Sequence, residues 1–63
     1  MLVFVKKIRL EKGISLSELA EKSGVSVSHI HNIESGFKNP TIKVLCKLAK
    51  ALDVPCSELF SCD

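Results

Sequence analysis

The chain has 63 residues, which limits it to one domain that buries only about 60% of the surface exposed by the unfolded chain. Hydrophobic residues make up 46% of the sequence and charged residues 25%, a composition that indicates a folded globular module and argues against disorder. The net charge of +2 is too small to indicate a nucleic-acid partner by itself, and without a nucleophile–base–acid group or a glycine-rich phosphate loop we expect no enzymatic activity.

The N-terminal residues are apolar, but this run is too short for a signal peptide or a membrane span. Lys6 and Lys7 interrupt it well before the length that either kind of segment needs. We therefore expect a cytoplasmic protein without membrane contact, with a single domain over residues 1–63.

A first helix is predicted from about residue 6 to residue 12, with Arg9 facing inward. Gly13 lies just past its end, where a residue in the left-handed region usually closes a helix. Ser15 then caps a second helix, and Glu18 three residues later completes a capping box. This pattern places the start of the second helix firmly.

The next segment places apolar residues where two short helices joined by a turn must touch. These residues have helical spacing on each side of the turn: Leu16, Leu19 and Ala20, then Ile30 and Ile33. Gly24 suits a short turn that needs positive φ, and Ser26 is a good N-cap for the following helix. We interpret the segment as a helix-turn-helix over about residues 16–35.

A loop and two further helices are predicted beyond this motif. Gly36 closes the third helix, and Asn39 followed by Pro40 prevents its continuation. Thr41 caps a fourth helix, whose inner stripe consists of Leu45, Leu48, Ala49 and Leu52. A short fifth helix is expected over residues 55–59, bringing Leu59 onto the core and giving a compact all-α bundle of five helices. The apolar ends, residues 2–4 and 59–62, also suit a pair of short strands.

Taken in order, these features resemble the phage-repressor and Cro-like (XRE-type) helix-turn-helix family. The similar region runs from about Ile8 to Leu59 and includes the segments IRLEKGISLSELAEKSGVS and HNIESGFKNP. The resemblance implies a five-helix bundle of the lambda-repressor-like type. It also implies a homodimer that binds operator DNA and regulates transcription, with the helix near residues 27–35 reading the duplex.

The outer face of that helix is small and polar. At about 100° per residue, Ile30 and Ile33 point inward, while Ser28, Asn32 and Ser35 lie nearly opposite. Because the N-terminal part of a recognition helix approaches the base edges, we expect base contacts from Val27, Ser28, His31 and Asn32. Asn32 in particular suits bidentate pairing with adenine.

Phosphate contacts are expected from groups that flank the reading helix, including the free amides at helix starts. The candidates are Ser15, Ser35, Phe37 through its N–H, Lys38, Asn39, Thr41 and Lys43. Leu16 departs from the family, which commonly has Gln reaching a phosphate at this position. Either Leu16 turns into the core or the protein grips DNA more loosely there.

The resemblance also assigns structural roles. In the family, the residues matching Arg9 and Glu34 form a partly buried ion pair, which the resemblance implies here too. The simpler alternative for this chain is two separate surface charges. Self-association is expected through Leu59 and Phe60 or through the apolar N-terminus. We expect no small-molecule effector within this chain.

The cysteines and histidines are predicted to have no metal or other cofactor. Cys46, Cys56 and Cys62 lack C-x-x-C spacing, so we interpret them as reduced thiols, with Cys46 in the core. His29 and His31 diverge by about 200° on a helix and do not suit one metal ion.

Three other functions are compatible with the sequence. One is an antitoxin or restriction-modification controller of the same fold, and another is a protein-interaction module that has lost DNA binding. The modest net charge keeps the second of these open. A redox or metal sensor has only the three cysteines and two histidines in its favour.

Overall fold

A computed structural model describes residues 2–61, with only the backbone of Leu2. Within this range the chain forms four α-helices, a 3-10 helix and two short strands. In chain order the elements are β1 (Leu2–Val3), α1 (Val5–Glu11), α2 (Leu16–Ser23), α3 (Val27–Glu34), α4 (Ile42–Leu52), the 3-10 helix (Cys56–Leu59) and β2 (Phe60–Ser61). The domain measures 28 × 21 × 19 Å.

The three predicted N-caps are present. The Ser15 hydroxyl accepts from the Glu18 N–H at 3.1 Å, and the Glu18 carboxylate accepts from the Ser15 N–H at 3.4 Å, which completes the capping box. Ser26 and Thr41 cap α3 and α4 in the same way. Since each hydroxyl satisfies an amide that has no partner within its helix, the caps fix where these helices begin.

The turn between α2 and α3 depends on Gly24. This residue ends α2 in the left-handed region, at φ 75°, and its N–H donates to the Ala20 carbonyl at 2.9 Å. A side chain at this φ is strained because Cβ approaches the backbone, whereas glycine adopts it freely. Val25 follows directly and is buried, so the turn itself contributes to the core.

The hydrophobic core lies between the helices. Its buried members are Val5, Leu19, Val25, Ile30, Ile33, Leu45, Leu48, Ala49, Leu52 and Leu59. The predicted inner stripe of α4 supplies four of these residues, and the predicted inward residues of α3 supply two. The helical periodicity of the sequence therefore identified most of the core.

The predicted fifth α-helix is instead a 3-10 helix over Cys56–Leu59. Its Glu58 N–H donates to the Pro55 carbonyl at 3.0 Å, three residues back. Phe60 is already extended, with φ −151°, so too few residues lie between Pro55 and β2 for a stable α-helical turn.

The strand pair suggested by the apolar ends is present over two residues in each strand. β1 and β2 are antiparallel, with Leu2 opposite Ser61 and Val3 opposite Phe60. Two residues per strand are marginal alone, but Val3 and Phe60 also pack against the core. Cys62, which the sequence also suits to the second strand, lies outside the described residues.

The prediction that Cys46 lies in the core is wrong. It follows the buried Leu45 on α4, yet it is exposed and does not belong to the core. A step of about 100° around the helix carries it from the inner stripe toward solvent. Among the described residues no helix is long and apolar enough to cross a membrane.

Candidate nucleic-acid interface

Helix α3 presents its polar side outward. Ile30 and Ile33 are 0% and 1% exposed and hold the helix against the core. The predicted base-contacting residues share the other side: Val27, Ser28 and His31 are exposed, and Asn32 is half-buried. Val27 has 42% of its surface exposed, so it adds an apolar contact point near the start of the helix.

Asn32 anchors the loop that follows α3. Its backbone carbonyl accepts from the Ser35 hydroxyl at 3.1 Å and from the Phe37 and Lys38 amides at 3.0 and 3.3 Å. Gly36 adopts φ 80° and makes this reversal of the chain feasible. These hydrogen bonds tie the loop to the last turn of α3.

The end of α3 is tied to α1 by the ion pair that the resemblance implies. Arg9 Nε lies 2.8 Å from Glu34 Oε2, and Nη2 lies 3.1 Å from Oε1, a bidentate arrangement. The two side chains are only 9% and 5% exposed, which rules out the alternative of two separate surface charges.

A third hydrogen bond, which the sequence did not reveal, completes the Arg9 site. Nη1 donates to the Ile14 carbonyl at 2.9 Å, in the connection between α1 and α2. The hydrogen bond to Glu34 raises the pKa of Arg9, and the charge of Glu34 adds to this effect against the opposing effect of burial. Arg9 therefore stays charged and joins α1, the α1–α2 connection and α3.

The candidates for phosphate contact are all exposed: Ser15, Ser35, Phe37, Lys38, Asn39, Thr41 and Lys43. They lie at the starts of α2 and α4 and in the loop between α3 and α4. The first amides of a helix have no intrahelical partner, and the helix dipole favours an anion there.

The starts of α2 and α4 differ in charge. At α2 the Glu18 carboxylate reaches back to the Ser15 amide, so a negative charge adjoins the position that a phosphate would take. The first turn of α4 carries no acidic residue and includes Lys43. The start of α4 is therefore the more favourable place for an anion.

The predicted phosphate contact of the Phe37 amide is wrong. Its N–H, which we expected to serve a phosphate, already donates to the Asn32 carbonyl at 3.0 Å. This bond belongs to the hydrogen-bonded ending of α3, where the amide after the closing glycine reaches back into the last turn. The side chain of Phe37 remains 78% exposed beside the phosphate candidates.

The burial of Leu16, Leu59 and Phe60 tests three further expectations. Leu16 is half-buried and packs against the core, as in the first of the two alternatives for this position. Leu59 is 0% exposed, so it is a core residue and is unavailable to a second protomer. Phe60 is half-buried and retains accessible surface.

Two features of α4 were missed by the sequence analysis. Cys46 Sγ lies 3.0 Å from Cys56 Sγ, although ten residues separate them. A cleft of about 470 Å³ between α2 and α4 is lined by Lys22, Ser23, Lys47, Lys50 and Ala51. The spacing of the α4 lysines places them on one face, but only the packing of α2 brings Lys22 beside them.

Two helices joined by the Gly24 turn, the second with a polar outer face, define a helix-turn-helix domain. A family model described as helix-turn-helix matches residues 5–59. The chain belongs to this family, of the XRE type.

Relatives within the family include transcriptional regulators. The chain is 47% identical over 58 residues to the HTH-type transcriptional regulator SinR of Bacillus licheniformis, a match covering 90% of this chain and 52% of the relative. It is 51% identical over 51 residues to SinR of Bacillus subtilis, covering 79% and 46% respectively. The chain thus spans about half the length of these relatives.

Two solved structures share the fold. The restriction-modification controller protein C.AhdI from Aeromonas hydrophila superposes with a TM-score of 0.85 at 38% identity, covering 89% of this chain and 85% of that one. The N-terminal DNA binding domain of SinR from Bacillus subtilis superposes with a TM-score of 0.82 at 46% identity, covering 90% and 84%.

Proposed function

We propose that this chain binds double-stranded DNA sequence-specifically and regulates transcription in the cytoplasm. The observation that carries the proposal is the exposed polar face of α3, held in place by the Arg9–Glu34 pair. The similar proteins support it, since SinR of Bacillus subtilis is a transcriptional regulator and its N-terminal domain is a DNA binding domain.

In this proposal α3 enters the major groove and reads base edges. Asn32 pairs with adenine, Ser28 hydrogen-bonds to a base, and Val27 packs against a thymine methyl group. His31 lies one turn after Val27 and extends the same face. The hydrogen bonds to the Asn32 carbonyl hold the loop that follows α3 and leave the side-chain amide of Asn32 to pair with a base.

The DNA backbone is held on both sides of α3. Thr41 and Lys43 at the start of α4 bind one phosphate together with Lys38 from the preceding loop, and Asn39 and Ser35 lie beside them. Ser15 at the start of α2 binds a second phosphate, more weakly because Glu18 adjoins it. The exposed ring of Phe37 packs against the sugar-phosphate backbone in place of the expected amide contact.

Two protomers are needed for a specific site. A single α3 reads only a few base pairs, whereas two such helices about 34 Å apart read successive major grooves on one side of the duplex. We place the dimer contact at Phe60, since Leu59 is committed to the core.

A second candidate is a restriction-modification controller, favoured by the structural match to C.AhdI. It uses the same DNA-binding surface and differs only in the operator that it controls. The operator selected by the protein, compared with the sequence upstream of neighbouring genes, distinguishes these two possibilities.

Selection of bound sites from random duplex DNA tests the proposal. We expect a two-fold symmetric consensus of two half-sites about one helical turn apart. Binding to this consensus should weaken with salt, with a log–log slope of about −0.9 for each phosphate neutralised. Failure to enrich any sequence, together with no duplex binding at low salt, would instead indicate a protein-interaction module.

A further inference from the structure

Two thiols meet where the 3-10 helix packs against α4. Cys46 lies exposed near the middle of α4, and Cys56 begins the 3-10 helix and is half-buried. Their sulfur atoms are 3.0 Å apart, about 1 Å beyond the roughly 2.05 Å length of a disulfide bond. Cys56 packs against the edge of the core, Cys46 does not, and neither cysteine belongs to the DNA contacts proposed above.

The path of the chain explains why these residues meet. Helix α4 ends at Leu52 and is capped by Asp53, which adopts φ 59°, and the Val54 N–H donates to the Ala49 carbonyl at 3.0 Å. This tight ending reverses the chain, and the 3-10 helix packs along α4 with Leu59 in the core. The two sulfurs are therefore held together by backbone structure that does not depend on the cysteines themselves.

A metal ion is a weaker explanation of this pair. Among residues 2–61 no group of three or more His, Cys, Asp and Glu side chains is placed to hold a metal ion. Two thiols alone form an incomplete site for zinc, which takes four ligands in structural sites. Two adjacent sulfurs, one of them accessible to solvent, are instead the requirement for forming a disulfide bond.

We propose that Cys46 and Cys56 form a reversible disulfide that links α4 to the 3-10 helix when the protein meets a hydroperoxide. The Cys46 thiolate attacks one peroxide oxygen, the O–O bond breaks, and Cys46 becomes a sulfenic acid as the other oxygen leaves as hydroxide. Cys56 sulfur then attacks Cys46 sulfur, the S–O bond breaks, and the S–S bond forms.

The reaction balances with one peroxide for each disulfide. The two thiols lose two hydrogen atoms and are oxidised by two electrons, while hydrogen peroxide is reduced to two molecules of water. Cys46 is the first to react because it is the more exposed of the two. A dithiol reductant reverses the cross-link by thiol–disulfide exchange.

The cross-link stabilises the C-terminal segment. It closes the connection from α4 through Asp53 and Pro55 to the 3-10 helix, and so restricts the unfolded chain. The melting temperature of the oxidised protein should rise by about 5 °C or more. This inference does not depend on DNA binding.

The test uses the full chain with Cys62→Ser, which leaves only the two thiols in question. After treatment with equimolar hydrogen peroxide, the remaining thiols are blocked with iodoacetamide and the intact mass is measured. We expect a monomer that has lost two hydrogen atoms and carries no alkyl group. Trypsin should release residues 44–47 linked to residues 51–63, and a dithiol should reverse both the link and the rise in melting temperature.

A matched variant, Cys56→Ser in the same background, retains Cys46 but lacks its partner. It should give no monomer that has lost two hydrogen atoms. Circular dichroism checks that each variant is folded. If one is not, the unaltered chain is oxidised instead. Digestion after Glu58 then separates Cys56 from Cys62, so that the disulfide partner of Cys46 can be identified. Two alkylated thiols after peroxide, or a disulfide found only between molecules or only to Cys62, would overturn the proposal.

Discussion

Arg9 is a charged residue at only 7% exposure. Its guanidinium donates through Nε and Nη2 to Glu34 and through Nη1 to the Ile14 carbonyl. The attraction between the charges is largely offset by the cost of removing them from water. The pair therefore contributes mainly by position, because it fixes the end of the helix that carries the proposed reading face.

Arg9→Met should destabilise the protein by about 3 kcal/mol, because it leaves the Glu34 carboxylate and the Ile14 carbonyl without their partner. Urea unfolding followed by circular dichroism measures this change. Arg9→Met combined with Glu34→Leu should recover much of the loss, since no uncompensated charge remains. A single variant as stable as the parent would show that the pair is not buried in solution.

The hydrogen bond between the two thiols also makes the stability of the folded protein depend on pH. The hydrogen bond with Cys46 raises the pKa of Cys56, and burial adds to this effect. A raised pKa in the folded state means that the contribution to stability is present at neutral pH and is lost as the pH rises through the thiol range.

Under reducing conditions, the stability of the protein should therefore fall more steeply above about pH 8.5 than that of Cys46→Ala. Thermal unfolding from pH 7 to pH 10 in the presence of a dithiol measures the difference. Parallel curves for the two proteins would show that the hydrogen bond contributes nothing.

At the scale of elements, the placement of α3 depends on the turn before it. Gly24 has no heavy atom within 4 Å of the position that a Cβ would take, so a substitution there meets conformational strain and no steric clash. The strain arises from φ 75°, which residues with a Cβ adopt at a cost.

Gly24→Ala should cost about 1–2 kcal/mol in the free energy of unfolding, again measured in urea. Gly24→Asn is the matched control, because asparagine tolerates the left-handed region better and should lose less. Equal losses for the two variants would mean that the turn relaxes to negative φ.

Local features were the most predictable from the sequence. Ser15, Ser26 and Thr41 act within one helical turn, so their roles depend on neighbours in the chain. The stripe of α4 follows from periodicity alone. The contact of Cys46 with Cys56 depends on how the chain reverses after Asp53, which no local pattern specifies. Leu59 was expected both on the core and at the dimer contact, and its complete burial confirms the core position.

At the scale of the whole molecule, the first and last segments that the structure describes lie together. The Phe4 N–H donates to the Leu59 carbonyl at 2.8 Å, beside the pairing of β1 with β2. This arrangement places Phe60 at one edge of the domain, half-buried against the core and still partly accessible. Such a residue suits the two-fold contact proposed for the dimer.

Phe60→Asp should shift the protein from dimer to monomer, in solution or on a two-half-site operator, as measured by sedimentation. Leu10→Asp is a matched control, because Leu10 is also an exposed apolar residue, at 59%, but lies on α1 outside the proposed contact. Circular dichroism should show that both variants keep their helices. A parent protein that stays monomeric even on the operator would refute the dimer.

The central claim is that the outer face of α3 reads the base sequence of duplex DNA. The most direct measurement compares affinities for the selected operator and for a scrambled duplex, using the parent protein, Asn32→Ala and Lys38→Ala. Asn32→Ala should lose about 1–3 kcal/mol on the operator and little on the scrambled duplex, whereas Lys38→Ala should weaken both about equally. If Asn32→Ala keeps the full preference of the parent for the operator, α3 does not read DNA through this face.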